Sequence, residues 1–210
     1  MQLLGLNTLD LLLLVVIFIG MLVGMFRGSV PQLISIVSIW LGLFATLWLY
    51  KLFSRNILQG LNMDPIISDT LSFLLILFVM FHAVRLVVKA LSTPPEERKR
   101  KKKDKDDPLA EAPKTAMERF VIGPLNLIGG MVLGIILTIL WTAIILGAVQ
   151  FIFQPDVGEL SSFARRMTAQ MNASTLVPAF NQVLRGLSWS LNFFIPRNAD
   201  IFRKVIEIIS

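Results

Sequence analysis

Long runs of apolar residues, almost free of charge, alternate with short polar stretches along this chain of 210 residues. The four longest apolar runs cover residues 11–26, 28–50, 70–84 and 120–155. A helix needs about 20 mostly apolar residues to cross about 30 Å of hydrocarbon, so runs of this kind favour membrane-spanning helices over buried core helices. The pattern therefore predicts an all-α integral membrane protein.

Turn and capping residues set the bounds of the four predicted spans. Asn7 or Thr8 is expected to cap the first helix, with Asp10 in its first turn, where a carboxylate suits the helix dipole. Gly28 permits a tight turn before the second helix, and Ser29 is expected to cap that helix. The predicted transmembrane helices are residues 8–27, 30–50, 65–90 and 124–151.

Two further segments differ in composition from the spans. Residues 91–120 combine a dense run of Lys and Arg with flanking prolines, which predicts a disordered basic loop. Residues 157–210 carry apolar side chains at helical spacing, which predicts an amphipathic helical tail on the membrane surface or against the membrane core. Its three apolar stripes are Leu160, Phe163, Met167 and Met171; Phe180, Val183, Leu184, Leu187, Leu191 and Phe194; and Ile201, Val205, Ile208 and Ile209.

The formal net charge of +6 is unevenly distributed. Most Lys and Arg near the helix ends lie in the basic loop, and Arg27 lies on the same side of a four-helix topology. The positive-inside rule then places the loop in the cytoplasm and both termini outside, although the basic residues of the tail favour the opposite side. Beside a membrane helix, the loop is expected to attract anionic lipid or to act only as a solvated topology determinant, and no nucleic-acid partner is expected.

Small residues recur at intervals of four on two predicted helices, a spacing that lets helices approach closely. They are Gly20, Gly24 and Gly28 on the first helix and Gly130, Gly134, Thr138 and Thr142 on the fourth. One hypothesis is that the first and fourth helices pack along these faces. The alternative is that glycine is simply common in membrane helices.

Four polar residues near or within the spans are candidates for function. Arg27 either contacts an anionic headgroup or partner, or snorkels as a topology anchor. Asp10 is interpreted as a first-turn residue rather than a proton carrier. His82 and Arg85 are one turn apart and are expected to form a polar pair at an interface. Because no second histidine or acidic cluster accompanies His82, no metal site is predicted.

Motifs for catalysis are absent from the sequence. It has no H-E-x-x-H, no G-x-S-x-G and no G-x-x-x-x-G-K-[ST], and it contains no cysteine. Metalloprotease, hydrolase, P-loop and thiol chemistry therefore lack their residues. We expect no enzymatic activity and no cofactor.

Three patches, taken in order, resemble the colicin V production protein family of bacterial inner-membrane proteins. The first comprises Asp10, the turn Gly24-x-x-Arg27-Gly28, and Ser35 and Trp40 in the second helix. The second comprises Asn126, Gly130 and Gly134, with Asn126 in place of the aspartate frequent in the family and Leu137-Thr138 in place of an Arg-Gly pair. The third is Ser174-x-Leu176-x-Pro178-x-Phe180 in the tail.

The resemblance implies an inner-membrane protein associated with colicin V production, that is, with toxin biosynthesis or export and envelope physiology. We interpret the chain as a non-enzymatic scaffold or accessory protein that assists an unidentified membrane protein. The alternative is a small oligomeric channel or transporter in which Asp10, His82 and Arg85 face a polar path. Whether the chain forms a homo-oligomer is left open.

Overall fold

The computed structural model describes residues 7–58, 60, 64–92, 123–153 and 162–191. These residues form helices and connecting turns, with no β-strand among them. The helices are α1 (Thr8–Arg27), α2 (Ser29–Phe53), α3 (Pro65–Ser92), α4 (Gly123–Ile152), α5 (Ser162–Asn172) and α6 (Val177–Leu191). Within the described ranges, α1 to α4 are long and apolar enough to span a membrane, which confirms the predicted all-α class with four transmembrane helices.

The observed bounds differ from the predicted ones mainly at the second helix. It continues to Phe53 and is then extended by a π-helical turn, Ser54–Leu58, instead of ending near residue 50. Residues 91 and 92 belong to α3. The rest of the predicted basic loop and the third tail stripe lie outside the described residues.

The starts of the first two helices have different causes. Asn7 and Asp10 form a capping box: Asn7 Oδ1 accepts from the Asp10 amide at 2.8 Å, and Asp10 Oδ2 accepts from the Asn7 amide at 3.1 Å. Gly28 separates α1 from α2 with a φ of 78°, a conformation that glycine adopts without steric cost. The expectation that Ser29 caps α2 was wrong, because the N-cap residue is Gly28 and no side chain caps this helix.

Neighbours in the bundle are not always neighbours in sequence. α1 packs mainly on α4, and α2 packs mainly on α3 and also on α4, whereas α1 and α2 touch little after their tight turn. α6 packs on α4. Buried side chains from these helices form one apolar cluster that includes Leu13, Leu43, Leu77, Ile144 and Leu184. The second tail helix is therefore part of the bundle core.

The bundle has two ends of different composition. The hairpin end contains the Gly28 turn and the start of α4, since Ser29 contacts Asn126 there. The tail end contains the start of α1 and the α5–α6 junction, which meet at Asp10 and Ser174. The 20 residues of α1 cover about 30 Å, so these ends lie about one hydrocarbon thickness apart.

Candidate functional site

The glycines of α1 and α4 face one another at backbone distance. A methyl group placed on Gly24 would overlap the carbonyl oxygen of Gly130 and lie 2.6 Å from the Cα of Gly134. A methyl group on Gly20 would overlap the side chain of Thr138, whose hydroxyl donates to the Gly134 carbonyl at 2.8 Å. The structure thus brings the small residues of both helices together, and any side chain at Gly24 or Gly134 would push the helices apart.

The Arg27–Gly28 turn is held against the start of α4. Asn126 Oδ1 accepts from the Ser29 amide at 2.8 Å and from the Ser29 hydroxyl at 2.7 Å. A methyl group on Gly28 would lie 2.6 Å from Asn126 Nδ2. Asn126 therefore fixes the turn with its amide oxygen, a role that requires an acceptor and no charge.

Asp10 joins the start of α1 to the tail. Its side chain is 0% exposed, and besides closing the capping box it accepts hydrogen bonds from the α5–α6 junction. Ser174 Oγ and the Leu176 amide donate to Oδ1, the latter at 3.1 Å. The Thr175 amide and hydroxyl donate to Oδ2, each at 3.3 Å. A buried carboxylate costs much free energy unless donors surround it, so this set of donors stabilises the charge and ties the tail to α1.

The tail motif has two structural roles at this junction, capping α6 and packing into the apolar cluster. Ser174 Oγ accepts from the amides of Leu176 and Val177, at 3.2 Å and 3.0 Å, and so caps α6 while its proton goes to Asp10. Phe180 is buried in the apolar cluster, and Leu176 packs against it. Pro178, in the first turn of α6, is exposed at a position that needs no amide donor. Asp10 and the tail motif, which are far apart in sequence, thus form one site.

The two α2 residues of the resembling patch have separate surroundings. Ser35 is 1% exposed, and its hydroxyl donates to the Pro31 carbonyl of its own helix at 2.9 Å. Trp40 is partly buried, and its Nε1 donates to Ser190 Oγ of α6 at 3.3 Å. Trp40 therefore adds a second link between the spans and the tail.

His82 and Arg85 lie on the hairpin-end half of α3 and line a cleft together with Arg27. His82 is exposed, its Nδ1 lies 2.8 Å from the Phe78 carbonyl oxygen, and its ring packs on Phe78 and Phe81. Asp10 is not among the residues of the cleft. The structure thus groups His82 and Arg85 with Arg27 and places Asp10 elsewhere.

Two polar groups were missed by the sequence analysis. At the tail end, Ser54 Oγ lies 3.0 Å from Ser68 Oγ and also donates to Asp69 Oδ1, which joins the π-helical turn to α3. In α2, Gln32 is 2% exposed and lines the cleft. The sequence did contain a signal for these groups, because a polar side chain within an apolar span indicates a position that faces the bundle.

Buried polar links, backbone-close glycine packing and four spanning helices define a multi-pass helical membrane protein. Residues 9–100 match the model of the family described as colicin V production protein, which supports the assignment of the chain to this family. The matched segment contains Asp10, Arg27, Gly28, Ser35 and Trp40, whereas α4 and the tail motif lie beyond it. No curated protein and no solved structure matches the chain.

Proposed function

We propose that this protein is a non-enzymatic scaffold or accessory protein of the bacterial inner membrane that supports toxin production or export and envelope physiology. The match of residues 9–100 to the colicin V production protein family supports the association with colicin V production. The observation that carries the scaffold role is the bonding of the tail to Asp10, because a docking surface needs a fixed shape. Backbone amides of Thr175 and Leu176 donate to that carboxylate, so the bond fixes the path of the main chain itself.

The proposed partner is a membrane protein that contacts the outer face of the tail helices. Arg165 and Arg166 are exposed on α5, and Trp189 is 81% exposed on α6. Tryptophan and arginine are the residues that most often dominate protein interfaces. The opposite faces of these helices bury Met171, Phe180 and other apolar residues, which supports an outward role for the exposed residues.

A secretion assay with two matched tryptophan variants tests this proposal. Cells that lack the native protein receive the wild type, Trp189→Ala or Trp48→Ala and a colicin V plasmid, and toxin release and membrane abundance are measured. Trp48 is the control, because it is also exposed, at 61%, but lies on a spanning helix. We expect Trp189→Ala alone to reduce release at unchanged abundance. Equal release by all three proteins would refute the proposed contact.

The same proposal includes an orientation, with the basic loop 91–120 in the cytoplasm and both termini outside. It is supported by the positive-inside rule and by the location of Arg27 and Arg85 at the end opposite the tail junction. Because the chain has no cysteine, single-cysteine variants report orientation directly. A membrane-impermeant maleimide should label Ala179→Cys in intact spheroplasts and Lys105→Cys only after lysis. The reverse result would invert the topology.

The cleft lined by Arg27, His82 and Arg85 favours a second candidate, a small oligomeric channel or transporter. Charged residues within spans often line ion or solute paths. Flux of ions or solutes into proteoliposomes, abolished by Arg85→Gln, would support this candidate. Absence of flux, together with normal secretion by Arg85→Gln, would support the scaffold.

A further inference from the structure

A cleft of about 460 Å³ lies among the four spanning helices, toward the hairpin end. Its charged, amide and imidazole side chains come from three helices: Arg27 of α1, Gln32 of α2, and His82 and Arg85 of α3; Ser35 of α2 also lines it. α4 contributes Thr138, Trp141 and other side chains to the same cleft. A volume of this size is in the usual range for a site that binds a small molecule.

The charge around this cleft is unbalanced. Arg27 and Arg85 line it together, and both also line an adjoining cavity of about 320 Å³ with Pro31 and Ile34. No Asp or Glu is among the described residues that line either space. Two arginines near the same low-dielectric space repel each other unless an anion lies between them. The cleft therefore favours an anionic ligand, and the planar guanidinium group pairs particularly well with phosphate.

Gln32 provides an independent sign of a ligand. It is only 2% exposed, and its Oε1 has no hydrogen-bond partner among the described residues. Leaving a buried acceptor without a donor is unfavourable, and most buried polar atoms in proteins have a hydrogen-bond partner. Ser35 does not supply the donor, because its hydroxyl donates to the Pro31 carbonyl. A ligand hydroxyl in the cleft would satisfy this oxygen.

The apolar walls of the cleft lead to the surface that faces lipid. Ile19, Val23 and Ile145 line it and are also 53%, 39% and 49% exposed on the outside of the bundle. An acyl chain could follow these side chains from the cleft into the bilayer without exposing apolar surface to water. Snorkelling alone would explain an arginine at a helix end, but it does not explain the buried Gln32 Oε1, which has no hydrogen-bond partner among the described residues.

We propose that this cleft binds an anionic amphiphile whose head carries a phosphate and a hydroxyl and whose acyl chain lies along the apolar wall. Arg27 and Arg85 bind the phosphate, and Gln32 accepts a hydrogen bond from the hydroxyl. This binding does not depend on the proposed scaffold role. It is a property of the bundle and is measured on the purified full chain.

Three short-chain lipids and one soluble anion separate the contributions of the phosphate, the hydroxyl and the acyl chain to binding. Phosphatidylglycerol carries the phosphate and hydroxyls, phosphatidylmethanol carries the phosphate without a hydroxyl, and phosphatidylcholine is zwitterionic. Glycerol 1-phosphate has the head without acyl chains. Dissociation constants are measured by calorimetry in a neutral detergent. We expect phosphatidylglycerol to bind most tightly, at least about tenfold more tightly than phosphatidylcholine. Equal or tighter binding of glycerol 1-phosphate would overturn the amphiphile in favour of a soluble phosphate.

Arg27→Gln and Arg85→Gln should each weaken phosphatidylglycerol binding by about tenfold, since each removes a charge-assisted bond. Arg55→Gln is the matched control, because Arg55 is exposed at the opposite end of the bundle, and it should leave the affinity unchanged. Unchanged affinity in both cleft variants, or an equal loss in the control, would overturn the site.

Gln32→Leu tests the hydroxyl contact through a ratio of two affinities measured on the same folded sample. The wild type should prefer phosphatidylglycerol to phosphatidylmethanol, and Gln32→Leu should bind both lipids equally. If the preference persists in Gln32→Leu, the hydroxyl is bound elsewhere and the assignment of Gln32 is wrong.

Discussion

Two buried polar sites at opposite ends of the bundle, around Asp10 and around Gln32, differ in how their groups are satisfied. At the tail end, the Asp10 carboxylate is surrounded by donors from Asn7, Ser174, Thr175 and Leu176. At the hairpin end, two arginines line one cleft without an acidic residue among its described lining, and Gln32 Oε1 has no partner in the described chain.

This difference indicates two kinds of role within one fold. A buried charge that the protein satisfies by itself stabilises a fixed structure, whereas an unsatisfied buried acceptor beside two arginines in one cleft indicates a place where another molecule binds. Asp10 accordingly has a structural role in holding the tail, and the cleft has a binding role. Mutations at the two ends should then separate stability from ligand binding.

Asp10→Ala should have the largest effect on stability. The buried Ser174 hydroxyl and the partly buried amides of Thr175 and Leu176 lose their acceptor. Each loss costs about 1–3 kcal/mol, so we expect a loss of about 4 kcal/mol in the free energy of unfolding. Denaturation in detergent micelles measures this loss, and limited proteolysis should cleave the released tail. Asp64→Ala is the control, because Asp64 is exposed and only caps α3, which contributes about 1 kcal/mol. A cost for Asp10→Ala no larger than that of the control would remove the contrast between the ends.

Gly24→Leu and Gly134→Leu should have the next largest effect on stability. Each inserts a side chain where the backbones of α1 and α4 touch, and overpacking of this kind costs about 3 kcal/mol. Folding yield and abundance in membranes measure the effect. Gly186→Leu is the matched control, because a Cβ there meets nothing within 4 Å among the described residues. Normal abundance of both interface variants would show that the close contact does not support the fold.

Ser174→Ala should lower the free energy of unfolding by less, about 2 kcal/mol. It removes one hydrogen bond to the Asp10 carboxylate and the cap of α6, whereas Asp10 keeps its backbone donors. Hydrogen exchange of the first turn of α6 should rise. Ser190→Ala, which removes the exposed contacts of this hydroxyl with Trp40 and with the Leu187 carbonyl, should change the exchange of that turn little. Similar exchange in the two variants would argue against a special role for Ser174 at the tail end.

Arg27→Gln and Arg85→Gln should have the smallest effect on stability. In detergent without added lipid, the free energy of unfolding should change by no more than about 0.5 kcal/mol, because no protein partner in the described chain is lost. The same denaturation experiment measures this. A loss as large as that of Asp10→Ala would mean that the arginines are structural and that both ends are satisfied internally.

Periodicity and composition were enough to predict the four spans, because span length and apolar character are local properties of the chain. For the same reason, capping chemistry narrowed the N-cap of α1 to Asn7 or Thr8, with Asp10 in the first turn, and the structure has Asn7 as the N-cap. The family was suggested by the resemblance of three motif patches and not by composition or periodicity. The prediction from local sequence was wrong at Ser29. Its amide and hydroxyl donate to Asn126 Oδ1, and Asn126 is distant in sequence but close in the bundle. Gln32 was not singled out, because its burial follows from the packing of α2 among other helices.

The sequence by itself determined that this chain spans a membrane as helices, since about 20 consecutive apolar residues match the bilayer thickness as a helix and a helix satisfies the backbone groups of such a segment within itself. Only the tertiary structure decided which polar residues meet. Asp10 and Ser174 are far apart in the chain, as are Arg27 and Arg85, and the packing of whole helices brings each pair to the same place. The physical reason is that a carboxylate or a guanidinium group acquires its role from the donors and charges around it, and those come from other helices.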